Sequence, residues 1–258
     1  MNINNITNNL ATHLGAVAIV CYGSYANGSH DAASDIDLLV LMPDGIPDEK
    51  ARKTAYSQAK VLELDKKLAG EWDTFWSPVN DRIEIEGQVI EIGYNTKARV
   101  LDVIDKLIHK HDIHFAFRPY TLLGLLEECR VLYDKEGFID TCRSMIRPIP
   151  TALKQAIIAE FLPKLKESVD DLEDCAKRTI GILAYLFFLE RAIDAMIQLL
   201  FISNDVYDPA SKRTEHKLKA LKHLPKDIFV FLNEILPRFY EHKDKIVLFF
   251  REILRQHF

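Results

Sequence analysis

No two of the four cysteines lie near each other. Cys21, Cys129, Cys142 and Cys175 are scattered through 258 residues, which fits neither a disulfide framework nor a zinc spacing. Reduced thiols in a reducing compartment are the expected state, and with them a cytoplasmic location. Long apolar runs are missing as well. The most apolar stretch, Ile180 to Leu189, gives way to Glu190, Arg191 and Asp194. It is too short to span a bilayer and predicts a buried helix. Met1 to Leu10 is polar and rich in asparagine, with no basic region ahead of an apolar one, so no secretory leader is expected there.

A basic stripe is lacking too. Residues 1–110 hold 16 acidic and 11 basic side chains, while the rest of the chain balances at 22 of each. The whole formal net charge of −5 therefore falls on the first part. Nucleic-acid binding needs clustered positive charge, so a polymerase or tRNA-modifying role is disfavoured. An acidic cleft instead suits a cationic small molecule. The bulk composition, 48% hydrophobic and 28% charged, is that of an ordinary globular protein. The length allows one or two domains with a sizeable core.

What is present is concentrated between residues 16 and 42. Ala16 to Tyr22 is a short apolar run, partly β-branched, and predicts a buried strand. Gly23 and Ser24 end it. Glycine permits close backbone approach to a ligand, and N–H groups at a turn or helix start bind anions. Residues 25–34 are small and turn-forming, enough for a half-turn of helix and a loop. Ser34 to Met42 then predicts the neighbouring strand. Side chains at i and i+2 of a strand share a face, so Asp35 and Asp37 point the same way while Ile36 and Leu38 face the packing. Two adjacent carboxylates repel unless a cation lies between them. Magnesium takes oxygen ligands and leaves some positions for phosphates.

Gly23-Ser24-Tyr25-Ala26-Asn27-Gly28 followed by Ser34-Asp35-Ile36-Asp37 resembles the signature of the DNA polymerase beta superfamily of nucleotidyltransferases. Within it the chain is similar to the bacterial branch of aminoglycoside and lincosamide nucleotidyltransferases. The resemblance implies an α+β fold: a mixed-sheet nucleotidyltransferase domain followed by an all-α helical bundle. It implies two Mg2+ ions, ATP or another nucleoside triphosphate as co-substrate, and transfer of a nucleoside monophosphate to a small-molecule hydroxyl with release of pyrophosphate. Gly23, Ser24 and Ser34 would bind phosphate, and Asp35 and Asp37 would hold metal. The signature specifies the chemistry well and the acceptor poorly.

The family also uses a third carboxylate on a nearby strand. Arg82 to Glu86 alternates polar and apolar, Glu86-Gly87-Gln88 can turn, and Val89 to Tyr94 resumes as a strand, which predicts a hairpin. Of Glu84, Glu86 and Glu91, the last lies in an otherwise apolar strand, where an unpartnered carboxylate is costly. Glu91 matches the family's third acid by position, as general base or further metal contact. A strand-end glutamate paired with a lysine or arginine is the plainer alternative.

The remaining pattern predicts two parts, residues 1–147 and 151–258, divided at Arg147-Pro148-Ile149-Pro150. Helices are expected over residues 2–13, from Glu49 to Leu68, from Thr96 to Lys110 and from Tyr120 to Glu128. A short last strand is expected from Arg130 to Tyr133. Beyond Pro150 the chain reads as helical: Thr151 to Lys166, with Pro163 bending or ending it, Asp170 to Phe201, Lys212 to Lys222, Lys226 to Leu236 and Glu241 to Gln256. Antiparallel neighbours of this kind make a bundle, and the apolar faces from Leu183 to Leu200 serve either a core or a dimer seam. In the resembled family a lysine of the helical part can reach the triphosphate. Lys212 is the candidate ahead of Arg213 and Lys217, against a plain solvated loop. His109, His111 and His114 lack the spacing of a common metal site, and His30 reads as a surface loop residue.

Two other functions fit the same motif. One is a nucleotidyltransferase that AMPylates a protein partner in a toxin–antitoxin or regulatory system. The other is a nucleotide-binding module without catalysis. The fused helical half argues against the first; an intact Gly-Ser turn, both aspartates and Glu91 argue against the second.

Overall fold

The computed structural model describes residues 3–57, 59–64, 77–178, 181–208 and 214–258. Its contacts divide the chain into two compact units, residues 1–150 and 151–258.

The first unit is built on a six-stranded mixed sheet. Its strands are β1 (Ala18–Tyr22), β2 (Ile36–Met42), β3 (Lys60–Leu64), β4 (Val79–Ile85), β5 (Gln88–Thr96) and β6 (Arg130–Asp134). They lie in the order β3-β4-β5-β2-β1-β6. Only β2 and β5 pair in parallel; the other neighbours are antiparallel. Ile19, Cys21, Ile36, Leu38, Val40, Ile83, Ile90 and Ile92 cover one face and join Ile6 and Leu10 of helix α1 (Ile3–Leu14) in a dry core. Alternate residues of the same strands, Val20, Leu39 and Leu41, are buried on the other face. The central strands are therefore buried on both sides over most of their length, which is why β1 and β2 read as nearly continuous apolar runs.

The β4–β5 hairpin closes through Glu86 and Gly87, both with positive φ (52° and 81°). Two such residues give the turn whose twist matches the flanking strands. This turn sets Ile85 opposite Gln88 and, three residues further back, Arg82 opposite Glu91. Helix α4 (Lys97–Ile104) follows β5, with the Thr96 hydroxyl accepting the Arg99 N–H at its start. It packs against β5, buries Val100, Val103 and Ile104, and continues as a π-turn over Asp105–His109, with α5 (Thr121–Glu128) and α6 (Phe138–Ile146) later in the unit.

One expectation fails in this unit. The single helix from Glu49 to Leu68 is instead a short helix, α3 (Glu49–Ala55), followed by β3. The backbone turns at Tyr56, whose carbonyl accepts from Ala59. Beyond it, Val61 to Leu64 pair with β4, so ladder hydrogen bonds outweigh the helix-compatible composition. Residues 65–76, which include Trp72 and Trp76, lie outside the described residues.

The second unit is all helical among the described residues. Helix α7 (Thr151–Lys177) runs unbroken through Pro163, and α8 (Ile182–Ser203) packs along it. Two expectations change here. Pro163 does not end its helix: Leu153, Ile157, Phe161, Leu165, Val169 and Leu172 keep one buried face on both sides of it, and that packing outweighs one missing backbone bond. The stretch from Asp170 to Phe201 is not one helix, since Asp170 to Lys177 end α7 and Gly181 precedes α8. The C-terminal helix (Lys243–Gln256) packs on α7 and buries Phe250 beside Phe231, with ring centroids 5.4 Å apart. Along α8, Leu189, Ala192, Met196, Leu199 and Leu200 are core, while Leu183 and Phe187 are 78% and 59% exposed. The α+β class, a mixed sheet followed by a helical region, is as the sequence predicts.

Candidate active site

The end of β1 and the beginnings of β2 and β5 meet at one edge of the first unit, because β1 runs against β2 and β2 runs with β5. Gly23 leaves β1 with φ 76° and ψ −155°, a conformation in which a Cβ is strained. A single helical turn, α2 (Ser24–Asn27), follows, closed by Gly28 in the left-handed region at φ 75°. The Asn27 side chain accepts from the Ser29 N–H at 3.0 Å and from its hydroxyl at 2.7 Å. Ser34 folds the loop back: its hydroxyl donates to Asp31 Oδ1 at 3.0 Å and accepts the Asp31 N–H at 3.0 Å. Bonds from the Ala33 N–H and then the Ser34 hydroxyl hold the Asp31 carboxyl below its usual range.

Gln88 ties this loop to the hairpin. Its amide donates to the Ser34 carbonyl at 2.9 Å and its Oε1 accepts from the Tyr25 hydroxyl at 3.2 Å. Tyr25 in turn stacks on His30 with ring centroids 4.1 Å apart. Asp35, the next residue after Ser34, is thus reached by a hydrogen-bonded path from β5.

Register brings the predicted acids together. Tyr22, Asp37, Glu91, Arg82 and Glu63 are successive partners on β1, β2, β5, β4 and β3. Directly paired residues share a face, so these five form one row across the sheet. Asp35 precedes Asp37 by two positions, just before β2 begins. Glu91 is half exposed, while its neighbours Ile90 and Ile92 are fully buried. The penalty foreseen for a carboxylate between isoleucines does not arise, because alternation turns Glu91 away from the core. Glu84 stands opposite Val89, two residues along from Arg82, and faces Lys60 at 3.8 Å. Glu86 lies in the hairpin turn.

Arg82 was not foreseen at this site. Its guanidinium donates to Asp35 at 3.4 Å and lies 3.9 Å from Glu91. The predicted hairpin was a partial signal: once the structure fixes the turn at Glu86 and Gly87, counting outward pairs position 82 with 91. The donor chemistry of Asp35, Asp37 and Glu91, all carboxylate oxygens, suits a hard cation such as magnesium. As the side chains stand, no three His, Cys, Asp or Glu among the described residues are gathered as a metal cluster. His109, His111 and His114 form no such group either.

The strand that carries Arg82 is anchored on the opposite face by its neighbour. Asp81 is 2% exposed and pairs with Arg52 of α3, also 2% exposed, at 2.7 Å. The Arg52 guanidinium makes a second bond to Asp81 at 3.2 Å and one to the Pro47 carbonyl at 2.7 Å. The Tyr56 hydroxyl donates to Asp81 at 2.7 Å and touches the Tyr94 hydroxyl. Burial pushes the Tyr56 hydroxyl far above its ordinary range, with Tyr94 and Asp81 adding to the effect, so it remains a donor. A buried charge persists only when it is paired and hydrogen-bonded, and this cluster meets that condition.

The other predicted contact, Lys212, lies outside the described residues together with Arg213. Just before them, Tyr207 and Asp208 are buried in the second unit, where Asp208 accepts from Gln198 at 2.8 Å.

Comparison with known proteins bears on the first unit. Residues 3–98, which contain the whole row of acids, match the family model described as "Nucleotidyltransferase domain". Residues 116–214 match a second model, described as "Domain of unknown function (DUF4037)". Among solved structures the chain is similar to a nucleotidyltransferase-like protein from Exiguobacterium sibiricum 255-15. The identity is 11%, the TM-score 0.45, and the match covers 98% of this chain and 75% of that one. No curated protein matches. No helix among the described residues is long and apolar enough to cross a membrane.

Proposed function

We propose that this protein is an adenylyltransferase that moves AMP from ATP to a hydroxyl of a small molecule. What carries the reading is the adjacency of Asp37 and Glu91 across β2 and β5, with Asp35 two residues before and the Gly23 turn beside them. Gly23 lets the backbone come close to the triphosphate, and Ser24 supplies a polar group along the phosphate path. Asp35 and Asp37, with Glu91 in reach, would hold magnesium. The ion's chemistry there is to neutralise the attacking and leaving oxygens of an in-line displacement. Glu91 accepts the proton of the acceptor hydroxyl as the new oxygen–phosphorus bond forms at the α-phosphate. The bond from that phosphorus to the bridging oxygen breaks, and pyrophosphate leaves with its electron pair.

The acceptor we favour is cationic and aminoglycoside-like, which would make the activity an antibiotic-resistance function. The support is charge: the net −5 lies within residues 1–110, and an acidic surface draws in a polycation. The four buried free thiols suit a cytoplasmic setting.

The decisive experiment incubates the protein with magnesium, labelled ATP and a panel of aminoglycosides, lincosamides and candidate proteins. Label on an aminoglycoside, lost in Asp37→Asn, is the expected result. Label on a protein and on no small molecule overturns the acceptor. Transfer that survives Asp37→Asn overturns the site.

A further inference from the structure

Arg82 is the one basic side chain in the row of acids. On its own sheet face it has Glu91 as partner on one side and Glu63 on the other, and it also reaches the Asp35 carboxylate at the start of β2. Its side chain is 44% exposed, against 34% for Asp35 and 51% for Glu91. The pairing is therefore wet, held by long contacts of 3.4 and 3.9 Å, and an exposed pair of this kind contributes little. It is a contact that can be given up. The backbone beneath it cannot easily follow, because neighbouring Asp81 is locked to Arg52 on the buried face. A long flexible side chain on a pinned strand can change partners without moving the sheet.

We propose that Arg82 is a displaceable cation in this site. It holds Asp35 and Glu91 when no metal is bound, competes with a divalent ion for their oxygens, and is released when the ion enters. The positive charge of Arg82 offsets the mutual repulsion of the carboxylates, which would otherwise splay them or raise their affinity for protons. The inference rests on the metal-binding reading of Asp35, Asp37 and Glu91, and it adds that the protein supplies its own competitor for that metal.

The test measures binding of Mn2+ alone, by electron paramagnetic resonance, to the full chain without nucleotide. Removing the competitor in Arg82→Gln tightens Mn2+ binding by about two- to fivefold, equal to roughly 0.4–1 kcal/mol of competing interaction. Arg82→Lys, which keeps the charge on a different head group, falls between the two. A purely structural role for Arg82 predicts the opposite sign, since loosening the hairpin scatters the ligands. Binding that is unchanged or weaker in Arg82→Gln overturns the proposal while leaving the metal site in place. Absence of saturable Mn2+ binding in both parent and variant overturns the metal reading and this inference together. Loss of Mn2+ binding in Asp37→Asn separates the two, because it reports on the site and not on the competitor.

Discussion

Asp37 and Glu91 are direct register partners across the parallel β2–β5 pair. They are 54 positions apart in the chain, and each sits next to buried isoleucine or leucine that faces the other way. Strand alternation and parallel register together put both carboxylates at one edge, beside the turn at Gly23.

If Glu91 takes the acceptor proton, Glu91→Gln keeps the fold and binds ATP but loses between about a hundredfold and ten-thousandfold in kcat. A kcat within about tenfold of the parent's excludes Glu91 as the base, and steady-state rates at saturating ATP make the distinction.

Gln88 joins the loop before Asp35 to β5 through Ser34 and Tyr25. Gln88→Ala removes both bonds from a half-buried, partly solvated position, so stability should fall by only about 1 kcal/mol. Turnover should fall more, by about tenfold, because the carboxylate it steadies must sit within a fraction of an ångström of its working place. Thermal unfolding and kcat measured on one preparation reveal whether the two effects part in this way.

Asp81→Ala leaves Arg52 charged, buried and without its carboxylate. Breaking one side of such a pair costs about 3–5 kcal/mol, so the midpoint of denaturant unfolding should drop sharply. Replacing both partners together with apolar residues should recover part of the loss. A double-mutant cycle in urea gives the coupling between them.

In the helical unit the Glu173 carboxyl is held down to about 2, by Lys177 first and by Arg251 next. Its folded value lies below its ordinary 4.5, so the pairing adds stability above about pH 4.5 and loses it as pH falls toward 2. Arg251→Ala should raise the Glu173 value, leaving Lys177 as the remaining partner, and should shrink the acid-side loss of stability. Carboxyl chemical shifts followed through a pH titration test this. Both groups are exposed enough for added salt to weaken the effect.

The hairpin shows how much the chain order discloses. A turn over Glu86 to Gln88 is legible in the chain order, but that it narrows to Glu86 and Gly87, and so sets residue 82 opposite residue 91, is decided by the structure. Period two predicts Asp35 and Asp37 on one side, but β2 begins only at Ile36, so alternation fixes the side of Asp37 and not that of Asp35. The helix read from Glu49 to Leu68 shows the limit: Lys60 to Leu64 has a composition that either state accepts, and pairing with β4 decides it. Pro163 teaches the same lesson in reverse, since a buried face on both sides of it carries α7 through. Ser34 reads as a phosphate contact, yet here its hydroxyl is bonded to Asp31, a local bond that spacing cannot distinguish from a ligand contact.

By itself the sequence determined the chemistry on offer: a glycine that can take positive φ, two carboxylates two positions apart and a third beyond a hairpin turn. These depend on neighbours a few residues away, and local sterics settle them. Only the tertiary structure decided which acid stands beside Asp37, that Arg82 joins Asp35 to Glu91, and that Arg52 pins Asp81 beneath them. Those relations depend on the parallel β2–β5 pairing and on burial across the sheet, contacts between residues tens of positions apart that no local pattern encodes.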